Sequence, residues 1–247
     1  MRGFGVRTFI KRVLGLGEPG SIPGPMIGRQ FSMAPVKDRF VARTLIDIGV
    51  AAGSPNIYAA FPDAYIVAIE PLIEFRSDIE EILADRAAEI ILCAAGERSG
   101  EVTINVYPDS WLQSSLYKRN DFRGRPGEER IVPLRTLDEI VASRKLADPL
   151  FIKIDAEGSE LGILKGARKA LSRTSGIIVE VNLDDRYGPE GATLGDIEAF
   201  MVANGFSLVG ILDAWVDDTV RVRKADLLYA PATGTRRDLG ETGAARG

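Results

Sequence analysis

The chain has 247 residues, of which 45% are apolar and 27% charged, with a net charge of −4. This suits a soluble globular protein of one large domain or two small ones and excludes the strong basic field of a nucleic-acid binder. It has no histidine and one cysteine, Cys93, which excludes an intrachain disulfide, a cysteine-rich zinc site, histidine-dependent triads and histidine-bound metals.

A general base must therefore be Asp, Glu, Lys, Tyr or the cysteine, and a metal would need oxygen ligands. A reducing, cytoplasmic setting is the default expectation, and no apolar run approaches the length of a membrane span.

Residues 1–20 carry Arg2, Arg7, Lys11 and Arg12 among Phe4, Phe9, Ile10, Val13 and Leu14. They read as a terminal helix, with peripheral contact to a membrane surface or a partner as the sharper alternative. Gly and Pro over 17–28 read as a linker. The expected organisation is a basic segment and linker over 1–39, one domain over 40–231 and a disordered tail over 232–247.

Within 40–231, apolar runs alternate with helical periodicity. Strands are expected at 44–50, 64–71, 89–96, 101–107, 150–156, 176–182, 206–212 and 224–230. Helices are expected at 54–61, 72–87, 136–145, 159–174 and 194–205. Ser54 with Pro55 reads as a helix start, and 108–130 as an irregular stretch. Continuous apolar strands separated by helices predict a doubly wound α/β sheet, mostly parallel and covered on both faces. The last two strands follow one another without a helix, so one of them should run antiparallel.

The first strand runs into "DIGVAAGSP", which places Asp47, Gly49, Ala51 and Gly53 on a strand-to-helix turn. In such a sheet that turn is where a nucleotide-like ligand sits. Glycine lets the backbone approach the ligand closely, and the following helix offers free N–H groups. The second strand ends in Glu70 and Pro71, and a carboxylate there accepts hydrogen bonds from both hydroxyls of a ribose. The third strand ends at Cys93 and Ala94, whose backbone would face a base. "FIKIDAEGSE" (151–160) ends a fourth apolar strand in acids: Asp155 at the strand end, Glu157 open between site and turn, and Glu160 read as helix-start electrostatics with Ser159 as the cap.

The segments "DIGVAAGS", "AIEP", "LRTLDEI", "FIKIDAEGSELGILKGA" and "IIVEVN", in this order over roughly 40–230, resemble the FkbM family of S-adenosylmethionine-dependent methyltransferases. The resemblance implies a class I methyltransferase (Rossmann-like) sheet of seven strands in the order 3-2-1-4-5-7-6, with one antiparallel strand. It implies S-adenosylmethionine as cofactor and O-methylation of a hydroxyl on a sugar or other small-molecule scaffold. Asp47, Gly49, Ala51, Gly53, Glu70, Pro71, Cys93 and Ala94 would then hold the cofactor. Asp155, Glu157 and Lys153 are the catalytic candidates. Trp111, Ser114, Ser115 and Glu180 would face the acceptor, the first three on a lid. No metal is expected; an Asp155–Glu180 pair holding a divalent cation is the less favoured alternative. Ala51 and Cys93 depart from the family's usual residues, which keeps a non-catalytic binding protein as one alternative. A nicotinamide-dependent oxidoreductase ranks lower, because a second glycine beside Gly49 is missing.

Overall fold

The computed structural model describes residues 33–107, 110–120 and 127–232. Of the basic segment and linker expected over 1–39, residues 1–32 lie outside the described residues, as does the tail from 233 onward, while 34–39 form a helix that packs on the domain. The elements in chain order are α1 (Ala34–Arg39), β1 (Thr44–Ile48), α2 (Pro55–Ala60), β2 (Tyr65–Ile69), α3 (Arg76–Ile82), β3 (Ala88–Ile91), β4 (Ala94–Ala95), β5 (Gly100–Val106), β6 (Glu128–Arg135), α4 (Leu137–Ala142), β7 (Leu150–Ile154), α5 (Glu160–Lys165), α6 (Arg168–Leu171), β8 (Thr174–Asn182), α7 (Leu194–Ala203), β9 (Phe206–Val216) and β10 (Val222–Pro231).

Seven strands form the main sheet in the order β3-β2-β1-β7-β8-β10-β9. Counting only these seven along the chain gives 3-2-1-4-5-7-6, as the resemblance implies. β10 runs antiparallel to both neighbours, so the final hairpin supplies the reversed strand that the sequence predicts. The sheet is doubly wound because its inner strands are apolar on both faces: every residue of β1 is buried. Ile46, Ile48, Ile152, Ile154 and Val179 pack on one side with Leu137, Ile163, Ala170 and Met201 from α4–α7. Leu45, Phe151, Ile178 and Leu228 pack on the other with Val36, Ile57 and Ile79 from α1–α3. Each fully buried Leu or Ile adds roughly 1.5–3 kcal/mol. Among the described residues no helix is long and apolar enough to cross a membrane.

Five local expectations are corrected. The helix expected over 72–87 is a 3₁₀ turn at Ile73–Phe75 followed by α3. The helix expected over 159–174 is broken into α5 and α6. At the break Gly166 lies against the backbone of Gly96, and the Asp138 carboxylate accepts the N–H groups of Lys169 and Ala170, capping a new helix start. The third apolar run divides at Leu92–Cys93, so β3 stays in the main sheet while β4 joins a second sheet of order β4-β6-β5. Its central strand, β6, occupies part of the stretch read as irregular. Finally, neither Ser54 nor Ser159 makes a side-chain cap bond.

Candidate functional site

The carboxyl ends of β1, β2 and β7 converge on one edge of the sheet. At Gly49 the chain turns with φ +76°, and a Cβ there would lie 1.8 Å from the carbonyl oxygen of Asp155. The β1 and β7 loops therefore cross in direct backbone contact, pinned by Asp155 N–H donating to Ile48 (3.0 Å) and Gly49 N–H donating to Ile69 (2.9 Å). Beside this crossing lies an open cleft walled by Ile48, Ile69, Glu70, Cys93 and Asp155.

The Glu70 carboxylate is buried in the cleft wall. Oε2 accepts the Ala51 N–H and Oε1 the Leu72 N–H, both at 2.9 Å. Burial pushes its carboxyl up to about 7 despite these two bonds, with Asp47 and Asp155 adding to the rise. Each carboxylate oxygen keeps a lone pair for a further donor. Ala51 reaches Glu70 by adopting a left-handed conformation, φ 45°.

A polar row crosses the face of the sheet that carries α1–α3. Register pairs Asp47 with Lys153, Glu180 with Asp226, and Asn182 with Lys224. The Lys153 ammonium lies 3.2 Å from Asp155 and 3.7 Å from Asp47, and Lys224 lies 2.6 Å from Glu180. Asp47 also accepts the Tyr58 hydroxyl at 2.6 Å. Burial opposes ionisation of Asp155, but Lys153 and Lys224 outweigh it and hold its carboxyl below the usual range. Glu180 is driven the other way, well above its usual value, by burial and by the charge of Asp155. The two carboxyls thus divide their roles: Asp155 carries the charge, and Glu180 holds a proton more readily.

The loop after β7 is strained. Glu157 has φ 47° and Gly158 φ 104°, two left-handed residues in succession. Buried Glu160 braces the loop, its Oε1 accepting the N–H groups of Ala156 (3.1 Å) and Gly158 (3.0 Å); burial raises its carboxyl to about 7. Glu157 accepts the Tyr187 hydroxyl and pairs with the buried Arg119 at 3.4 Å. The Tyr187 ring lies against Gly158, where a Cβ would meet it at 2.8 Å. Over the cleft runs the 110–120 segment. The Ser115 hydroxyl donates to the Glu157 carbonyl (2.5 Å), and Asn120 N–H donates to the Arg186 carbonyl (2.7 Å).

Of the residues singled out in the sequence, Gly49, Ala51, Glu70, Pro71, Cys93 and Ala94 line the cleft on one side. Trp111, Ser114, Ser115, Asp155 and Glu157 line it as well. Asp47, Gly53, Lys153 and Glu180 do not line it. Asp47 and Lys153 are joined beneath Asp155, Glu180 stands beside Asp155 across β7–β8, and Gly53 packs on Ile82. The sequence reading passed over Asn182, Lys224, Arg119 and Tyr187, and it took Glu160 for helix-start electrostatics. Asn182 was open to a period-2 reading, two residues beyond Glu180 on one strand; Lys224 had no local signal.

A family profile described as "Methyltransferase FkbM domain" matches residues 47–208, more than half of the 247. No curated protein matches the sequence. Among solved structures, the chain is similar to methyltransferase FkbM from Methylobacillus flagellatus KT, with 20% identity and a TM-score of 0.51 over 78% of this chain and 44% of that one. The chain thus spans less than half the length of that relative. It is also similar to precorrin-6y C5,15-methyltransferase from Geobacter metallireducens GS-15, with 13% identity and a TM-score of 0.43 over 79% of this chain and 83% of that one. Magnesium protoporphyrin IX methyltransferase from Synechocystis PCC 6803, a structure with bound SAM, shares 12% identity and a TM-score of 0.43 over 80% of this chain and 74% of that one.

Proposed function

We propose a function from one premise: the chain belongs to the FkbM methyltransferase family. The proposed reaction moves a methyl group from S-adenosylmethionine to a hydroxyl oxygen of a sugar, a glycan or another small-molecule acceptor. The observation that carries it is the Glu70 carboxylate, fixed in the cleft wall by two backbone N–H groups beside the Gly49 turn, where the β1 loop packs directly on the backbone of Asp155. Its remaining lone pairs suit two ribose hydroxyls. Family membership sets aside the nicotinamide alternative.

S-adenosylmethionine, when bound, supplies the electrophilic methyl group. The chain's own work is to orient the acceptor and manage its proton. Asp155, held ionised by Lys153, accepts a hydrogen bond from the acceptor hydroxyl. The proton then passes to Asp155. The segment carrying Trp111, Ser114 and Ser115 limits water at the reacting centre and offers an aromatic face and hydroxyls to the acceptor.

Isothermal titration with S-adenosylhomocysteine tests the cofactor, and a radiolabelled methyl donor with a panel of hydroxyl-bearing acceptors tests the transfer. Absence of binding at millimolar ligand would sink the reading. Binding without transfer to any acceptor would favour the non-catalytic alternative.

Glu70 gives this reading a pH signature. Hydroxyl donors favour the ionised carboxylate, so below about pH 7 binding must first displace a proton. S-adenosylhomocysteine affinity is expected to fall about tenfold between pH 8 and pH 6. In Glu70→Gln the step should vanish and affinity at pH 8 should drop by about 10- to 100-fold, as for hydrogen bonds to a charged group. Titrations at the two pH values check both; an unchanged step in the variant would assign the proton elsewhere.

A further inference from the structure

Glu180 and Asn182 are two residues apart on β8, so both side chains leave the same face of the sheet. Both are buried, and Oε1 of Glu180 and both polar atoms of the Asn182 amide have no hydrogen-bond partner. Buried polar atoms are almost always satisfied, so such a pair needs an explanation. Lys224 occupies the other oxygen of Glu180 and leaves Oε1 without a partner. Asp155, which follows β7, clusters with Glu157 and Glu180, and each of the three places one oxygen within 4.8 Å of the other two. A cation about 2.1–2.4 Å from each of its oxygens holds opposite ligands no more than about 4.8 Å apart. The charges point the same way. Lys153 serves Asp155 and Asp47, Lys224 serves Glu180, and Arg119 serves Glu157. Asp226 lies in the same row opposite Glu180. Five carboxylates face three cations, an excess of two negative charges when all are ionised.

We propose that Asp155, Glu157, Glu180 and Asn182 form a site for one hard divalent cation, of the Mg²⁺ or Mn²⁺ kind. The all-oxygen donor set, three carboxylates and an amide, is the chemistry such ions select. This differs from the metal-free site expected from the sequence. Binding stands on the geometry alone. The ion's role, holding the acceptor hydroxyl beside Asp155 and lowering its proton affinity, rests on the proposed function.

The test is titration of the full chain with Mn²⁺, reading the free-ion signal by electron paramagnetic resonance. One Mn²⁺ per chain is expected, displaced by excess Mg²⁺. Glu180→Gln and Asn182→Leu should each weaken binding by about tenfold or more. Circular dichroism checks that both variants fold. The Asn182 side chain makes no hydrogen bond, so Asn182→Leu removes none and remains decisive should Glu180→Gln unfold. A free-ion signal equal to the total Mn²⁺ at millimolar concentration, or parental affinity in Asn182→Leu, overturns the site. Mn²⁺ binding without S-adenosylhomocysteine binding upholds the site and sinks the cofactor reading, so the two ideas fail separately.

Discussion

Gly49→Ala is expected to cost more than about 4 kcal/mol, enough to leave little folded protein at 37 °C. The added Cβ would lie 1.8 Å from the Asp155 carbonyl oxygen and 2.7 Å from its carbonyl carbon, at a φ of +76°. Both obstructing atoms are backbone, and that backbone is held by the Asp155–Ile48 bond, so no rotamer change relieves the overlap. Gly53→Ala is the control. Its Cβ meets the Cδ1 of Ile82 at 2.6 Å, at a φ of +97°; a side-chain end can move, so the expected loss is about 1–3 kcal/mol, mainly backbone strain. Urea denaturation of the two variants measures the difference. A Gly49→Ala protein as stable as Gly53→Ala would show that the β1–β7 crossing is looser than described.

Asp155→Asn is expected to lower kcat by about 10²- to 10⁴-fold, the usual worth of a positioned proton acceptor, while S-adenosylhomocysteine affinity changes less than about threefold. The split follows from geometry. Asp155 stands at the end of β7, whereas the carboxylate assigned to the ribose is Glu70 at the end of β2. The amide has nearly the shape of the carboxylate but cannot take the proton. It also removes one of the two carboxylates that Lys153 faces, so Glu180 should ionise more easily once its charged neighbour is gone. Single-turnover kinetics beside equilibrium titration separate the two effects. Unchanged turnover would remove Asp155 from the chemistry and leave the cofactor reading standing.

The alternating α/β sheet was readable because β1, β2, β7 and β8 are apolar runs bounded by turn residues, each followed by helical spacing; the strand order came only from the family resemblance. The cleft wall was readable for a related reason: in an open α/β sheet, the residue that ends a strand faces the crevice, which singles out Glu70 and Asp155. Strand β6, "EERIVPLR", was not readable. It is charged at its start, contains Pro133 and alternates only partly, so local pattern gave it no preference. Lys224 and Glu180 are 44 positions apart, and only the β8–β10 register joins them. The Arg119–Glu157–Tyr187 group is assembled the same way from three separate loops. The break between α5 and α6 needed Asp138, about 30 residues upstream, to arrive at the right place.

The position of Lys153 between Asp47 and Asp155 has a consequence for the life cycle of the site. A catalytic carboxylate changes charge each time it takes a proton or meets a cation, and a buried ammonium deprived of its counter-ion is costly. Lys153 is never left in that position. When Asp155 is neutralised, Asp47 still stands 3.7 Å away, with one oxygen held by Tyr58 and the other without a hydrogen bond. Asp47 therefore acts as an electrostatic reserve behind the proposed proton acceptor, and the site can gain and lose charge without stranding a buried cation or moving a strand.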